Sequence, residues 1–290
     1  MKNLNIWTIL ICLSVLINCS KNSDDTGEGP IVQVDKTANL LRTGESANDI
    51  LSNDNFDKLK IEIAFVAGFR PTQSAMDAFM DYLRTYTFKE DIEMVFKGLD
   101  SANKETLTLQ EVIDLEEENR TVYNDGKTLG IYIYFTDAAA SSDNAQEGRV
   151  TIGSVYRNTS MIIYESTIRR IANQSDSTTN ADVETATINH EFGHLFGLVD
   201  LGTPKINDHE DVDSANHCNV SGCLMRTALQ FGSSGKSANL SANNNEIKAS
   251  CSLSAESVLK MLETNTSKGF SNSVPLDAEC ILDLQSNGGR

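Results

Sequence analysis

Two histidines and a glutamate lie close together in residues 190–200, which read HEFGHLFGLVD. On a helix, His190 and His194 are four residues apart and share a face, so both imidazoles can reach one ion. Zinc accepts neutral histidine nitrogen, and a catalytic zinc ion keeps one position open for water. Glu191 lies beside the metal, where it can take a proton from the water that the metal acidifies. The spacing therefore predicts a zinc-dependent hydrolytic centre with Glu191 as the general base.

A third protein ligand must come from outside this pair of histidines. Gly197 can adopt the left-handed conformation that ends a helix and turns the chain sharply. This turn would return the residue three positions later, Asp200, to the metal, and zinc accepts carboxylate oxygen. His209 and His217 are competing third ligands, because all four histidines of the chain lie between residues 190 and 217.

The extended pattern resembles the metzincin metalloproteases, in which HExxHxxGxx is followed by histidine or aspartate. The variant with aspartate in the last position is similar to the snapalysin-type members. Metzincins also carry a methionine turn beneath the zinc ion, and Met225 is the candidate for it here. The resemblance implies a zinc-dependent endopeptidase that acts on proteins or peptides. It also implies one catalytic zinc ion, bound by His190, His194 and Asp200.

The spacing Cys218-x4-Cys223-x-Met225 is similar to the signature of the archaemetzincins, in which a histidine ligand directly precedes the first cysteine. In this chain Asp200 holds the expected position of that ligand, and His217-Cys218 comes after an insertion. The closing CxxC pair of archaemetzincins is absent, which puts their structural zinc ion in doubt here.

The hydrophobic pattern predicts a mixed α/β (α+β) domain. Strands are predicted at 60–69, 92–99, 130–137, 149–156 and 160–166, and helices at 71–88, 108–120, 181–196, 254–264 and 277–284. Thr179 and Asp182 are close to a capping-box pattern at the start of the central helix. The metzincin resemblance implies an upper subdomain with a mixed five-stranded sheet and two helices above the cleft. Below the cleft it implies an irregular lower subdomain with the methionine turn and a C-terminal helix.

The strand at the rim of the cleft binds substrate in metzincins, as an added antiparallel strand. We expect part of residues 149–157, RVTIGSVYR, to do the same. Replacing residues near Gly153 with proline is expected to raise KM for peptides.

The N-terminus resembles a bacterial lipoprotein signal. An apolar run from Ile6 to Ile17 follows Lys2 and is too short to cross a membrane comfortably. The run ends just before Cys19, the expected lipidation site, and residues 20–30 are too polar to form a core. The expected organisation is a signal peptide over 1–18, a lipidated cysteine and flexible linker over 19–57, and a metalloprotease domain over 58–290 with upper (58–197) and lower (198–290) subdomains.

The net charge and the expected anchor limit the partners. The formal net charge is −17, which disfavours binding to nucleic acid or to an anionic membrane surface through charge. We expect an exported monomer in the bacterial cell envelope, at the outer membrane or the cell surface. Its contact with the membrane would be only through the N-terminal lipid.

Four cysteines lie beyond the expected signal and lipidation site: Cys218, Cys223, Cys251 and Cys280. An even number in an exported chain predicts two disulfides. The preferred pairing joins Cys218 to Cys223 and Cys251 to Cys280, because the first two are close in sequence. A structural zinc site made of all four cysteines is the alternative.

The alternative function is a non-catalytic surface lipoprotein that binds protein or glycan and keeps zinc only for structure. A closed four-ligand site, completed by His209 or His217, would mark it. Glu191 argues against this function, because a purely structural site has no use for that residue.

Overall fold

A five-stranded sheet is the centre of the computed structural model, which describes residues 35–144, 150–226, 262 and 274–290. The strands are β1 (Lys58–Val66), β2 (Asp91–Leu99), β4 (Thr128–Thr136), β6 (Gly153–Arg157) and β7 (Ser160–Tyr164). Their order in the sheet is β2-β1-β4-β7-β6. The pairs β1–β2, β1–β4 and β4–β7 are parallel, whereas β6 pairs antiparallel with β7 at the edge of the sheet.

The helices and two short strand pairs surround this sheet. The helices are α1 (Ala47–Leu51), α2 (Gln73–Tyr86), α3 (Leu109–Asn119), α4 (Glu165–Ala172), α5 (Asn180–Leu195) and α6 (Ala278–Ser286). The strand pairs are β3 (Thr106–Leu107) with β5 (Ala139–Ala140), and β8 (Glu210–Asp211) with β9 (Ser214–Cys218).

The sheet is buried on both faces, and β4 shows how its sequence allows this. Ile131 and Ile133 belong to the main core, which also contains side chains of α2 and α5. Tyr132 and Tyr134 alternate with them and belong to a second core with Val112 of α3. Such continuous hydrophobic runs are typical of strands covered by helices on both sides. The main core therefore holds α5 directly against the sheet.

The expected mixed α/β fold with a five-stranded sheet is confirmed, whereas the division into metzincin-like subdomains stays a prediction. Helix α4 was not predicted, because its sequence follows β7 without a break and its first two residues were assigned to the preceding strand. The helix expected at 254–264 lies outside the described residues except for Leu262, which is helical.

Residues 35–57 pack against the domain, which corrects the expectation of a flexible linker over this part of 19–57. Ile50 and Leu51 of α1 are fully buried in the main core. The Asn39 side-chain amide donates to the carbonyl of Gly130 at 3.0 Å. The folded part therefore begins before residue 58.

The expected signal peptide and Cys19 lie outside the described residues. In the part of the chain that is described, no helix is long and apolar enough to cross a membrane.

Candidate active site and metal centres

Helix α5 carries the central motif and is fixed at both ends by local interactions. Thr179 is its N-cap and forms the expected capping box, in which the Asp182 carboxylate accepts from the Thr179 backbone N–H at 2.8 Å. Gly197, with φ of 73°, has the left-handed backbone that stops a helix. Between these points every residue from Val183 to Leu195 is buried.

Three histidines form a nearly equilateral triangle. The ring centroids of His190 and His194 are 4.9 Å apart, and the His217 centroid lies 5.3 Å and 5.0 Å from them. One ligand nitrogen from each ring lies within 4.8 Å of the others. The side chains of all three are buried, with exposed fractions of 1%, 0% and 4%. This geometry offers three nitrogen ligands to a single ion.

Backbone carbonyls determine which nitrogen of two rings carries the proton. Nδ1 of His190 lies 2.7 Å from the carbonyl oxygen of Leu224, and Nδ1 of His217 lies 2.9 Å from that of Ala215. Because a carbonyl only accepts, each neutral ring donates from Nδ1 and keeps a lone pair on Nε2. Nε2 of His190 is 3.2 Å from Nε2 of His194. Nitrogens that lie this close and face one another can both bind a single cation, so the residues fit a metal ion.

Burial keeps these histidines neutral, which is the form that binds a metal. Burial, with a smaller contribution from His217, lowers the pKa of His190 to about 3. Burial also lowers the pKa of His194 well below its ordinary value, and it lowers the pKa of His217. No proton therefore has to leave these rings at neutral pH before an ion binds.

Asp200 does not lie with these histidines, although the sequence favoured it as the third ligand. The Asp200 residue is exposed. Val199 and Asp200, with φ of 56° and 62°, continue the left-handed turn that begins at Gly197. After this turn, the hairpin of β8 and β9 brings the chain back to the site and delivers His217. The structure thus brings together His190, His194 and the alternative ligand His217.

Glu191 lies where α5 meets the edge strand β6, and its side chain is fully buried. A Cβ atom on Gly153 would lie 2.9 Å from Cγ of Glu191 and 2.7 Å from Cγ2 of Thr187. Only glycine therefore allows β6 to approach α5 this closely.

Met225 packs against α5 close to the three histidines. A side chain on Gly193 would overlap the sulfur of Met225, which is fully buried. The carbonyl of Met225 accepts from the backbone N–H of Cys218 at 2.9 Å, next to His217. Met225 therefore packs on the helix that carries the two histidines, and its role as a methionine turn stays a prediction.

A second group of buried donors lies nearby. Ligand atoms of His209, Cys218, Asp277 and Cys280 all lie within 4.8 Å of one another. The sulfur of Cys223 is 3.5 Å from that of Cys280. Hydrogen bonding with Cys223 and Cys280 holds the pKa of Cys218 far below that of an ordinary thiol, whereas contact with Cys218 raises the pKa of the other two.

Cys218, Cys223 and Cys280 are free thiols. The preferred disulfide between Cys218 and Cys223 is therefore not formed, because both sulfurs face the second group of donors. Cys251, the expected partner of Cys280, lies outside the described residues.

Comparison with known proteins finds similarity among solved structures. No family model matches the chain, and no curated protein matches it. Among solved structures, the crystal structure of archaemetzincin from Methanopyrus kandleri matches with 15% sequence identity and a TM-score of 0.46. The match covers 80% of this chain and 96% of that one. Similarity at this level does not establish a shared fold, so the residues of the site remain the basis for assigning a function.

The sequence contained a signal for His217 and little signal for the second group. His217 directly precedes Cys218, as a ligand does in the archaemetzincin pattern. The position of His217 next to Cys218 therefore favoured His217 as the third ligand, whereas the spacing of three residues after Gly197 favoured Asp200. His209 and Cys280 are 71 residues apart, and no local pattern joins them.

Proposed function

We propose that the protein is a zinc-dependent endopeptidase of metzincin type. His190, His194 and His217 bind the zinc ion, and Glu191 is the general base. The observation that carries this proposal is the convergence of three buried, neutral imidazoles, two of which lie on the same helix as the buried carboxylate of Glu191. A site that uses zinc only for structure needs the imidazoles but has no use for the carboxylate.

The residues divide the chemistry between them. A zinc ion bound there would act as a Lewis acid and would lower the pKa of a water molecule toward neutrality. Glu191 takes a proton from the attacking water and then delivers it to the nitrogen of the leaving amine. The carbonyls of Leu224 and Ala215 hold two of the imidazoles in the tautomer that presents Nε2.

The edge strand β6 is the proposed binding surface for an extended peptide. β6 lies at one edge of the sheet, opposite β2, and Gly153 at its start lies against Glu191. A peptide that added to this edge by backbone hydrogen bonds would pass close to the general base. Such binding by the main chain favours an endopeptidase with protein or peptide substrates.

The location of the protein is a proposal from the sequence. A lipid on Cys19 would attach an exported monomer to the bacterial cell envelope, with the lipid as its only membrane contact. The net charge of −17 disfavours nucleic acid as a partner, because the phosphate backbone is also negative.

The test measures bound zinc together with hydrolysis of a denatured protein, for the wild type and for Glu191→Gln. Glu191 is fully buried, so the site must open to admit a substrate, and the assay therefore uses long incubation. We expect zinc in both proteins and cleavage by the wild type alone. Glu118→Gln, on an exposed side chain of α3, is the matched control and should cleave as the wild type does.

Two results would contradict the proposal. Equal cleavage by the wild type and Glu191→Gln would remove Glu191 from its role. Bound zinc without cleavage by either protein would favour the non-catalytic surface lipoprotein that binds protein or glycan.

A further inference from the structure

The start of the edge strand β6 is held in place by its neighbour β7. Gly153 is paired with Ile163 across the two antiparallel strands. One residue earlier, the carbonyl of Ile152 accepts from the backbone N–H of Tyr164 at 2.9 Å. The side chains of Ile152 and Ile163 are fully buried in the main core. The backbone at Gly153 therefore cannot move away from α5 without disturbing both the strand pairing and the core.

Two side chains of α5 pack against this fixed point. Thr187 and Glu191 are four residues apart, so they share a face of the helix, and both are fully buried. The Thr187 hydroxyl donates to the carbonyl of Val183 at 2.7 Å. A Cβ atom on Gly153 would lie 2.7 Å from the Thr187 methyl group and 2.9 Å from Cγ of Glu191. Both separations are well below the 3.5 to 4.0 Å of a favourable contact between carbon atoms, a range that is itself approximate at about ±0.2 Å.

The carboxylate of Glu191 is the group that an added methyl group would displace. The same Cβ atom would lie 3.2 Å from Oε1 of Glu191. Residue 153 is held by β7, and Thr187 is held by its hydrogen bond within the helix. The Glu191 side chain rotates about several single bonds and moves more easily than either of them. A misplacement of about 1 Å at a reacting group can cost roughly 100-fold in rate.

We infer that Gly153 is a positioning residue for the general base. Because Gly153 has no side chain, the edge strand packs directly on Glu191 and fixes the place of its carboxylate. The inference rests on the function proposed above, in which Glu191 moves the protons and β6 binds the peptide. One strand then aligns both the peptide and the base. The contribution of Gly153 to the base appears in kcat, whereas a contribution to peptide binding alone appears in KM.

The test compares the full-length, zinc-loaded wild type with Gly153→Ala. The substrate is a peptide that contains one of the bonds that the wild type cleaves in a denatured protein. We expect kcat to fall by roughly 10- to 100-fold, with KM unchanged. The change leaves the three histidines in place. The zinc content, and the d–d absorption bands of the Co²⁺-substituted protein, should therefore match those of the wild type.

Gly98→Ala is the matched control. Gly98 lies on β2, at the opposite edge of the sheet, and its Cβ atom would lie 3.9 Å from the nearest atom, which belongs to Phe65. This is an ordinary contact, so Gly98→Ala should change neither kcat nor KM.

A second background tests the contact itself. Thr187→Ser removes the nearest methyl group but keeps a hydroxyl group that can donate to Val183. In this background the alanine methyl group has more room, so Gly153→Ala should cost at least roughly threefold less kcat than in the wild type. If Gly153→Ala does not fold, the double variant is compared with Thr187→Ser instead, and the same loss of kcat at unchanged KM is expected.

Three results would overturn the inference and leave the proposed function intact. They are wild-type kcat in a folded Gly153→Ala protein, a raised KM at unchanged kcat, and an equal loss of kcat in both Thr187 backgrounds. In contrast, a wild type that does not cleave, or cleavage that Glu191→Gln retains, would defeat the proposed function and the inference with it.

Discussion

At the scale of single residues, the site depends on histidine side chains that are buried and neutral, two of which are oriented by a hydrogen bond to a backbone carbonyl. His190 donates from Nδ1 to the carbonyl of Leu224, and His217 donates from Nδ1 to the carbonyl of Ala215 in its own strand, β9. This leaves each ring one orientation and one available nitrogen. Ala215 and Leu224 lie on either side of Cys218 and Cys223, so both supporting carbonyls and the third ligand, His217, belong to one short stretch of chain.

His217 is predicted to be the third ligand of the first site. His217→Ala should weaken zinc binding at this site by at least roughly 100-fold, the upper end of what is lost with an outer-shell partner. Asp200→Asn should leave binding unchanged, and asparagine tolerates the left-handed backbone at this position. Competition with a chromophoric chelator measures both. Loss of affinity in Asp200→Asn alone would restore Asp200 as the ligand.

Gly193 is predicted to be required for the contact between α5 and Met225. Glycine to alanine in a helix ordinarily stabilises by about 1 kcal/mol, but here the new methyl group meets the Met225 sulfur. Gly193→Ala should therefore lower the free energy of unfolding by about 1–3 kcal/mol, as overpacking does. Urea unfolding measures this. In a Met225→Ala background the same change should become neutral or stabilising, and an equal loss in both backgrounds would contradict the contact.

At the scale of secondary structure, two carboxyl groups join the amino end of α5 to α4 and α2. Glu165 and Glu184 are both fully buried, and the Asn180 amide donates to both, at 3.1 and 2.9 Å. Arg169 is the cation beside them and donates to Glu165 at 2.6 Å. The backbone N–H of Thr72, the N-cap of α2, donates to Glu184 at 2.9 Å.

This carboxyl pair is predicted to make stability fall with rising pH. Burial, and then the charge of Glu184, raises the pKa of Glu165 from 4.5 to about 8. The folded form keeps a proton that the unfolded chain releases, so stability is full below pH 4.5 and is lost as the pH rises through about 8. Glu165→Gln cannot ionise and should exceed the wild type by roughly 2–4 kcal/mol at pH 9, with little difference at pH 5.

Urea unfolding at the two pH values tests this prediction. Glu118→Gln, which removes an exposed carboxyl, is the control and should change neither value. A Glu165→Gln variant that is no more stable than the wild type at pH 9 would show that the pair does not share a proton.

At the scale of the whole molecule, α6 and the residues that follow it contact α5, α2 and the second group of donors. Asn287, just after α6, donates to the carbonyl of Phe196 at the end of α5 at 2.9 Å. The backbone N–H of Arg290 donates to Tyr86 of α2 at 3.0 Å, and Cys280 belongs to the second group of donors. The end of the chain thus joins the second group, α5 and α2.

Metal removal is predicted to destabilise the whole domain, because the three histidines come from α5 and from the β8–β9 hairpin. At zinc concentrations about 100 times Kd, bound zinc adds about 2.7 kcal/mol per site, so chelation should lower Tm by roughly 5–10 °C. Calorimetry with a chelator, then with excess zinc, measures this. Magnesium should not restore Tm, since it disfavours imidazole and thiolate ligands. An unchanged Tm would contradict metal binding by the folded protein.

The sequence determined what local geometry controls. The capping box, the four-residue spacing of His190 and His194, and the stop at Gly197 all follow from helix periodicity and backbone freedom. The alternating and continuous hydrophobic runs likewise predicted the five strands. These features depend on residues within a few positions of one another, so they can be predicted from the sequence before the tertiary structure is known.

Only the tertiary structure decided which distant residues join the motif. Asp200 does not join the two histidines of α5, because Val199 and Asp200 both have left-handed backbone after Gly197. His217 joins them, because the β8–β9 hairpin brings it to the site. His209 and Cys280 meet only when α6 packs beneath that hairpin. Such contacts join segments many residues apart, and their geometry follows from the packing of the whole core rather than from any local spacing.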